Sequence, residues 1–240
     1  MRISLVWLCF VVSLFLLFAG CGQGPSPRLR ALYGTQGFQP QPPHSVWPQL
    51  DRVGLIVHSD TTGPNAAPAI SPQFLETLNR RTEEFVARRC LVPAAVLLTF
   101  RPSIQQAQIK QKLISLGHEH GISHILLVVL SSREQSGPAT LGGERMMTQM
   151  SGISVENVAL SEVALLRLAD YLVIWNLTGS ATETLELLDA PIGKDQPTRE
   201  QSLEILRAQA AQQALDRSLH FLGSWCEDIP KKAGRNSSPI

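Results

Sequence analysis

Three short apolar segments, separated by amphipathic ones, constrain the fold of this chain more than any other feature. They are RVGLIVHSD from Arg52, AAVLLTF from Ala94 and HILLVVL from His124. Apolar residues at helical spacing fill the two intervals, and Ser71 at the start of the first and Gly121 at the end of the second are typical of helix boundaries. Buried strands that alternate with helices predict crossover connections and parallel pairing.

A β-hairpin and a long helix are predicted for the second half. The segments EVALLRLADYLVIWNL and ATETLELLDA flank the turn residues Thr178-Gly179-Ser180. An amphipathic helix over Val163 to Leu172 is the competing interpretation, but the residues from Tyr171 to Trp175 favour a strand. The segment REQSLEILRAQAAQQALDRSLHFLG predicts a final helix that stops at Gly223. The predicted fold is α/β, a two-layer or three-layer sandwich with a mixed sheet: βαβαβ, then a β-hairpin and a C-terminal helix.

Residues Ser131 to Glu156 are polar and glycine-rich, and they are long for a connection within a compact domain. Such a segment is expected to be functional, flexible or a missed hairpin. Its distinctive residues are Met146, Met147 and Met150. We predict that these methionines contact a partner, because methionine adapts to protein-binding surfaces. The alternative is that they fold over the sheet as ordinary core.

The amino-terminal region has the layout of a secretory signal peptide, since Arg2 precedes an uncharged run from Ile3 to Gly20. An uncleaved anchor is one alternative, because the run can span a bilayer as a helix, and an ordinary secreted product is another. The stretch Phe18-Ala19-Gly20-Cys21 resembles the lipobox of bacterial lipoproteins, although leucine is usual where Phe18 stands. There the cysteine is diacylated, exposed by cleavage and N-acylated, with palmitate as a typical chain. Three acyl chains on Cys21 would anchor the protein stably in a membrane.

The sequence divides into four segments. We predict a lipoprotein signal peptide over residues 1–20, a Pro/Gly-rich tether over 21–48, a single α/β domain over 49–228 and a disordered tail over 229–240. As a flexible coil the tether would reach roughly 30 Å, and about 80 Å if fully polyproline-like. Alternatively, four apolar residues can hold part of the tether against the domain, namely Leu32, Tyr33, Phe38 and Trp47. We expect the second half, near Trp47, to make this contact.

Charge and motif content argue against several functions. The formal net charge is +1 without a block of like charges, so nucleic acid is not an expected partner. His118, His120 and His124 lie beside Glu119, but residues two apart on a helix do not share a face, so no metal site is predicted. The sequence has no nucleophile-elbow pattern and no phosphate-binding glycine loop. We therefore predict no catalytic residues, no enzyme activity and no cofactor.

Two cysteines remain once Cys9 leaves with the signal peptide and Cys21 is acylated. These are Cys90 and Cys226, which would lie in an oxidising compartment. They can form a disulfide, and two buried free thiols are the alternative.

The chain resembles the rhombotail lipoproteins, a group of small bacterial envelope lipoproteins. The resemblance lies in the lipobox at Cys21, the stretch LYGTQ, the strands RVGLIVHSD and ISHILLVVLS, and RLADYLVIWNL leading into a hairpin. It implies an envelope location and a non-enzymatic role, and it names no activity. Gly22, where an aspartate would signal retention, resembles lipoproteins that are sent to the outer membrane.

Two classes of function remain open. The first is an outer-membrane lipoprotein with its domain in the periplasm, acting as a protein-binding or assembly module that offers a sheet edge or loop to another envelope protein. The second is an envelope hydrolase whose site is built from dispersed residues. A deep pocket with converging charged residues would favour the hydrolase. A shallow surface with an exposed apolar patch would favour the binding module.

Overall fold

A computed structural model describes residues 27–34, 50, 52–90, 94–98, 106–141, 150–188 and 197–227. In chain order these residues form α1 (Leu29–Tyr33), β1 (Arg52–Asp60), α2 (Pro72–Arg89), β2 (Ala94–Leu97), α3 (Gln106–His120), β3 (His124–Leu141), β4 (Met150–Arg167), β5 (Leu172–Leu188) and α4 (Arg199–Glu227). The predicted helix boundaries at Ser71 and Gly121 are confirmed, since Ser71 is the residue before α2 and Gly121 follows α3 with a positive φ of 63°.

The strands form one mixed sheet in the order β2-β1-β3-β4-β5. β1 pairs in parallel with both β2 and β3, as expected for strands joined by helical crossovers. β3, β4 and β5 pair antiparallel. The predicted α/β class is therefore confirmed, and so is the order βαβαβ, hairpin, helix.

Helices cover both faces of the sheet, which makes three layers. On one face, Leu126 and Val128 of β3 belong to a core with α2 and α4. On the other face, Ile125 and Leu127 of the same strand belong to a core with α1 and α3. Since successive side chains of a strand point to opposite faces, the continuous apolar run of β3 serves both cores.

The predicted hairpin turn at Thr178-Gly179-Ser180 is wrong. β4 ends at Arg167 and β5 begins at Leu172, so the turn comes earlier and β5 runs straight through Gly179. A Cβ on Gly179 would lie 2.3 Å from the carbonyl oxygen of Ala214 in α4. This glycine permits a close approach between strand and helix rather than a turn.

The predicted helix stop at Gly223 is also wrong, because α4 continues to Glu227. A Cβ on Gly223 would lie 3.0 Å from Cζ of Phe85 in α2. The glycine therefore makes room for an aromatic side chain of the neighbouring helix.

The segment from Ser131 to Glu156 is a missed hairpin. β3 continues to Leu141, β4 begins at Met150, and the two strands pair through to these ends. Part of the predicted tether packs on the domain, because α1 lies against it with Leu32 and Tyr33 buried; the contact is in the first half of the segment, whereas the prediction placed it near Trp47. Trp47, the signal peptide and the tail over 229–240 lie outside the described residues. Among the helices that are described, none has the length and apolar character needed to cross a bilayer.

A disulfide joins Cys90, at the end of α2, to Cys226 in the last turn of α4. Their Cα atoms are 4.9 Å apart, within the range that a disulfide requires. Trp225 and Trp175 of β5 pack edge to face, with ring centroids 5.8 Å apart. The carboxyl end of α4 is thereby held to both α2 and the sheet.

Candidate functional site

The amino-terminal residues 28–34, here called the strap, dock on the sheet through a buried carboxylate. Glu162 of β4 is 2% exposed, and its Oε2 accepts hydrogen bonds from the backbone N–H groups of Arg28 and Leu29, the latter at 2.9 Å. Free N–H groups at a helix start favour a negative charge. Burial raises the pKa of Glu162 above its usual value, against the effect of these two hydrogen bonds.

The side chain of Arg28 fixes the start of the strap to the end of β1. Its Nε donates to Asp60 Oδ2 at 2.8 Å, and its Nη2 donates to Thr62 Oγ1 at 3.0 Å. Burial alone would raise the pKa of Asp60, but hydrogen bonds from Thr62 and Arg28 together hold it below its usual value. Asp60 therefore stays ionised where it faces the strap.

The other end of the strap is held by an aromatic pair. Tyr33 is fully buried, and the hydroxyl of Tyr171 donates to its carbonyl oxygen at 2.8 Å. Burial raises the pKa of Tyr171 to about 12, so this hydroxyl keeps its proton at neutral pH. The Nζ of Lys110 in α3 lies 5.3 Å from the Tyr171 ring centroid. The strap thus joins the domain core at both ends, beside α3.

Three strands extend past the body of the sheet as an arm, made of residues 132–141, 150–160 and 180–188. β1 stops at Asp60, paired with Ser131, while β3 continues ten residues to Leu141. At about 3.4 Å per residue, the arm projects about 34 Å beyond β1. α4 covers one face of it, where Ala159 and Ala181 pack against small residues of the helix.

Polar residues of the arm are matched by polar residues of α4. Arg207 forms an ion pair with Glu134, which also accepts a hydrogen bond from Asn157. At the root of the arm, the hydroxyls of Ser161 and Ser218 are both fully buried and lie 2.9 Å apart. These pairings allow a polar sequence to form buried strands.

β5 is an edge strand: along its 17 residues, the described part of the chain pairs it with β4 alone. Arg217 of α4 donates to the carbonyl oxygen of Ser180, so that carbonyl points away from β4. Backbone groups alternate sides along an antiparallel strand. The backbone groups of Thr182 and Thr184, whose side chains are exposed, therefore also point to the open side.

A shallow cleft of about 490 Å³ opens where α3 ends and β3 begins. His118 and His124 both line it, together with Arg167 and apolar residues, whereas His120 and Glu119 do not. Burial, and then the nearby charge of Arg167, lowers the pKa of His124. The residues that the structure describes contain no group of three or more side chains placed to bind a metal ion.

Ser123 and His124 are hydrogen-bonded within this cleft, with Ser123 Oγ 2.8 Å from His124 Nδ1. The negative charge of Asp170 acts on His124, but both carboxylate oxygens of Asp170 accept hydrogen bonds from Arg167, at 3.0 and 2.6 Å. Asp170 therefore pairs with the arginine rather than orienting the histidine.

The structure brings together only some of the residues singled out by the sequence. Cys90 and Cys226 are bonded, and Met150 is the first residue of β4, paired with Leu141. Cys21, Met146 and Met147 lie outside the described residues. The strap contacts of Glu162 and Asp60 were missed, because the partners are far apart in the sequence and no local pattern marks them.

Comparisons with known proteins yield structural likenesses alone. No family model and no curated protein matches the chain. A solved structure described as a neuraminyllactose-binding hemagglutinin homologue from Helicobacter pylori is 10% identical with a TM-score of 0.41, covering 80% of this chain and 92% of that one. Two bacterial lipoproteins also match. The minor lipoprotein from Acinetobacter baumannii is 7% identical with a TM-score of 0.31, covering 73% and 94% of the two chains.

The rare lipoprotein B from Shewanella oneidensis is the second matching lipoprotein. It is 12% identical with a TM-score of 0.30, covering 71% of this chain and 94% of that one. All three TM-scores are below 0.5. These likenesses therefore assign neither a family nor a function to the chain.

Proposed function

We propose that this chain is a bacterial envelope lipoprotein, anchored through acylated Cys21, whose domain binds or assembles with another envelope protein and catalyses no reaction. The lipobox-like stretch ending at Cys21 supports the anchor. Gly22 supports delivery to the outer membrane, with the domain on the periplasmic side. Three acyl chains would hold such a protein on its membrane without a spanning helix.

The open edge of β5 is the observation that carries the binding role. An edge strand presents unpaired N–H and C=O groups, and an extended segment of a partner can add to it as a further strand. Most natural edge strands are short or blocked, but β5 has 17 residues. Its outer half lies in the arm, away from the body of the domain, where the backbone of Thr182 and Thr184 faces outward.

A hydrolase is the second candidate, and the hydrogen bond between Ser123 and His124 is the observation that favours it. Three features of the cleft weigh against it. The pair consists of sequence neighbours, Asp170 is engaged by Arg167, and the cleft is shallow. A Ser–His pair needs a third group that orients the histidine. Cells that express Ser123→Ala in place of the wild-type protein are therefore expected to grow like the wild type.

Site-specific photo-crosslinking in intact cells tests the binding role. A photoreactive residue at Thr184 is expected to capture a discrete partner, whereas one at Thr77, an exposed threonine of α2, is not. In the Thr184 background, Thr182→Pro should abolish capture because proline removes the outward N–H. Thr182→Ala keeps that N–H and should preserve capture. Equal capture from Thr77, or capture that survives the proline, would contradict strand addition.

A further inference from the structure

We infer, on the basis of the proposed strand addition to β5, that the segment this edge accepts carries basic side chains on one face and apolar side chains on the other. The outer half of β5, residues 182–187, determines this pattern through the side chains on its own two faces. An added strand would place its side chains beside them, alternately on one face and on the other.

The backbone of β5 determines which added residues share a face with which of its own. The N–H and C=O groups of Thr182 and Thr184 point away from β4, and by the same alternation so do those of Glu186. Partner residues that pair with these three lie directly opposite them, with their side chains on the same face. This face, here called the open face, is the one away from α4, because Ala181 on the other face packs against α4.

The open face is acidic at this edge. Glu186 and Glu156 are both exposed. Glu186 pairs with Ser154, and Glu156 pairs with Thr184, so the two carboxylates occupy diagonal positions on adjacent strands. A lysine opposite Glu186 would form a cross-strand pair of opposite charge, which stabilises a sheet. A lysine opposite Thr184 would be two strand spacings, about 10 Å, from Glu156, a distance that the two long side chains cover together.

The charges around the edge are mostly of the same sign. The arm and residues 199–213 of α4 together contain six carboxylates and three arginines, whereas the whole chain is nearly neutral at +1. Arg207 is paired with a glutamate of β3, and Arg133 lies on β3, two strands from the edge. Arg217 reaches β5 only at the inner end of its outer half. Residues 180–188 of β5 contribute two of the carboxylates and no cation.

The face of β5 toward α4 favours apolar partner residues. Leu185 and Leu187 alternate with the open-face residues and are only half-buried, so an added strand can cover their remaining apolar surface. Glu183 on the same face is already engaged, because its carboxylate accepts a hydrogen bond from Gln213 of α4. The partner therefore needs apolar side chains on this face, alternating with basic ones on the open face.

A second copy of this chain is a poorer occupant of the edge. Two β5 strands paired with each other would bring the carboxylates of both copies to one interface, namely Glu183, Glu186 and the neighbouring Glu156. Like charges across paired strands destabilise a sheet. The carboxylates that oppose self-association thus favour a partner of opposite charge.

Two synthetic peptides test the inference. Each has about eight residues, the length of a strand, in which valine alternates with threonine and a charged residue. The charged residue is lysine in one peptide and glutamate in the other. Fluorescence anisotropy of the labelled peptides measures their binding to the full chain in nonionic detergent at low salt. The lysine peptide is expected to bind about tenfold more tightly, because the charge pairs beside Glu186 change from attraction to repulsion in the glutamate peptide.

Two charge-reversal variants supply a matched control. Glu186→Lys should remove the preference for the lysine peptide, because it changes the sign of the charge opposite the partner strand. Glu76→Lys, at an exposed glutamate of α2, makes the same change in net charge away from β5 and should preserve the preference. Equal binding of the two peptides to the wild type, or a preference that survives Glu186→Lys, would overturn the inference.

Photo-crosslinking from position 184 separates failure of the charge rule from failure of strand addition. If both peptides are captured equally and Thr182→Pro abolishes both captures, strand addition stands and the inferred partner chemistry is wrong. If neither peptide is captured, strand addition to β5 is contradicted as well. A dimer of the chain that Thr182→Pro dissociates, observed by analytical ultracentrifugation, would make a second copy the occupant and would likewise overturn the inference.

Discussion

Removing the disulfide between Cys90 and Cys226 should lower the stability of the domain substantially. The bond closes a loop with a sequence separation of 136 residues. By the chain-entropy model, a loop of this size restricts the unfolded chain by about 5 kcal/mol. For a domain of this length, each kcal/mol shifts the melting temperature by about 2–4 °C, so the expected loss is roughly 10–20 °C.

The folded state should survive this loss, because the bond is only one of several links between α4 and the rest of the domain. Leu215, Leu219 and Leu222 of α4 are buried in the core shared with α2. We therefore expect the double variant Cys90→Ala/Cys226→Ala to keep the circular dichroism spectrum of the folded protein at 25 °C.

Thermal unfolding of three samples measures the effect: the oxidised protein, the reduced protein and the double alanine variant. Both cysteines are buried, so replacing them with alanine also removes the packing of their sulfur atoms. The reduced protein keeps these atoms and loses only the crosslink. Most of the decrease in stability is expected on reduction alone. A decrease of under about 1 kcal/mol on reduction, or titratable thiols at Cys90 and Cys226 in the unfolded oxidised protein, would refute it.

Three further perturbations follow from the structure. Gly179→Ala should destabilise the domain by about 1–3 kcal/mol, because the added Cβ would overlap the backbone of α4. Gly137→Ala is the control, since no atom lies within 4 Å of its Cβ. Chemical denaturation measures the free energy of unfolding of both variants. The pKa of Asp60 is lower in the folded protein than the 3.8 of an unfolded chain. Ionised Asp60 therefore stabilises the fold at pH values above 3.8, and this stabilisation is lost as the pH falls through the pKa of the folded state. The stability gap between the wild type and Asp60→Asn, measured by denaturation at several pH values, should therefore shrink in acid. Replacing Met146, Met147 and Met150 with serine should lower the capture of a partner with little change in melting temperature. A marked loss of stability would instead place these methionines in the core.

The parallel half of the sheet could be predicted from the sequence, because its signals are local. A continuous apolar run such as that of β3 from His124 to Leu130 marks a strand buried on both faces. Helix boundaries such as Gly121 depend on the conformation of single residues. These signals need no knowledge of distant parts of the chain.

The arm and the polar contacts of the strap could not be predicted, because they depend on partners far along the chain. Glu134 and Asn157 look like loop residues until Arg207 of α4 is placed beside them. Glu162 caps a helix whose residues precede it by more than a hundred positions. The sequence predicts a turn at Gly179 for the same reason, since the close approach of α4 leaves no local signal.

Metabolic labelling with a fatty acid tests the central claim most directly, because the proposed membrane anchor is acylated Cys21. Cells expressing the wild-type chain are compared with cells expressing Cys21→Ser. The wild type should incorporate the label and migrate as the processed form, while the variant should incorporate none and accumulate as an unprocessed precursor. Equal labelling of the two proteins would contradict the lipoprotein assignment.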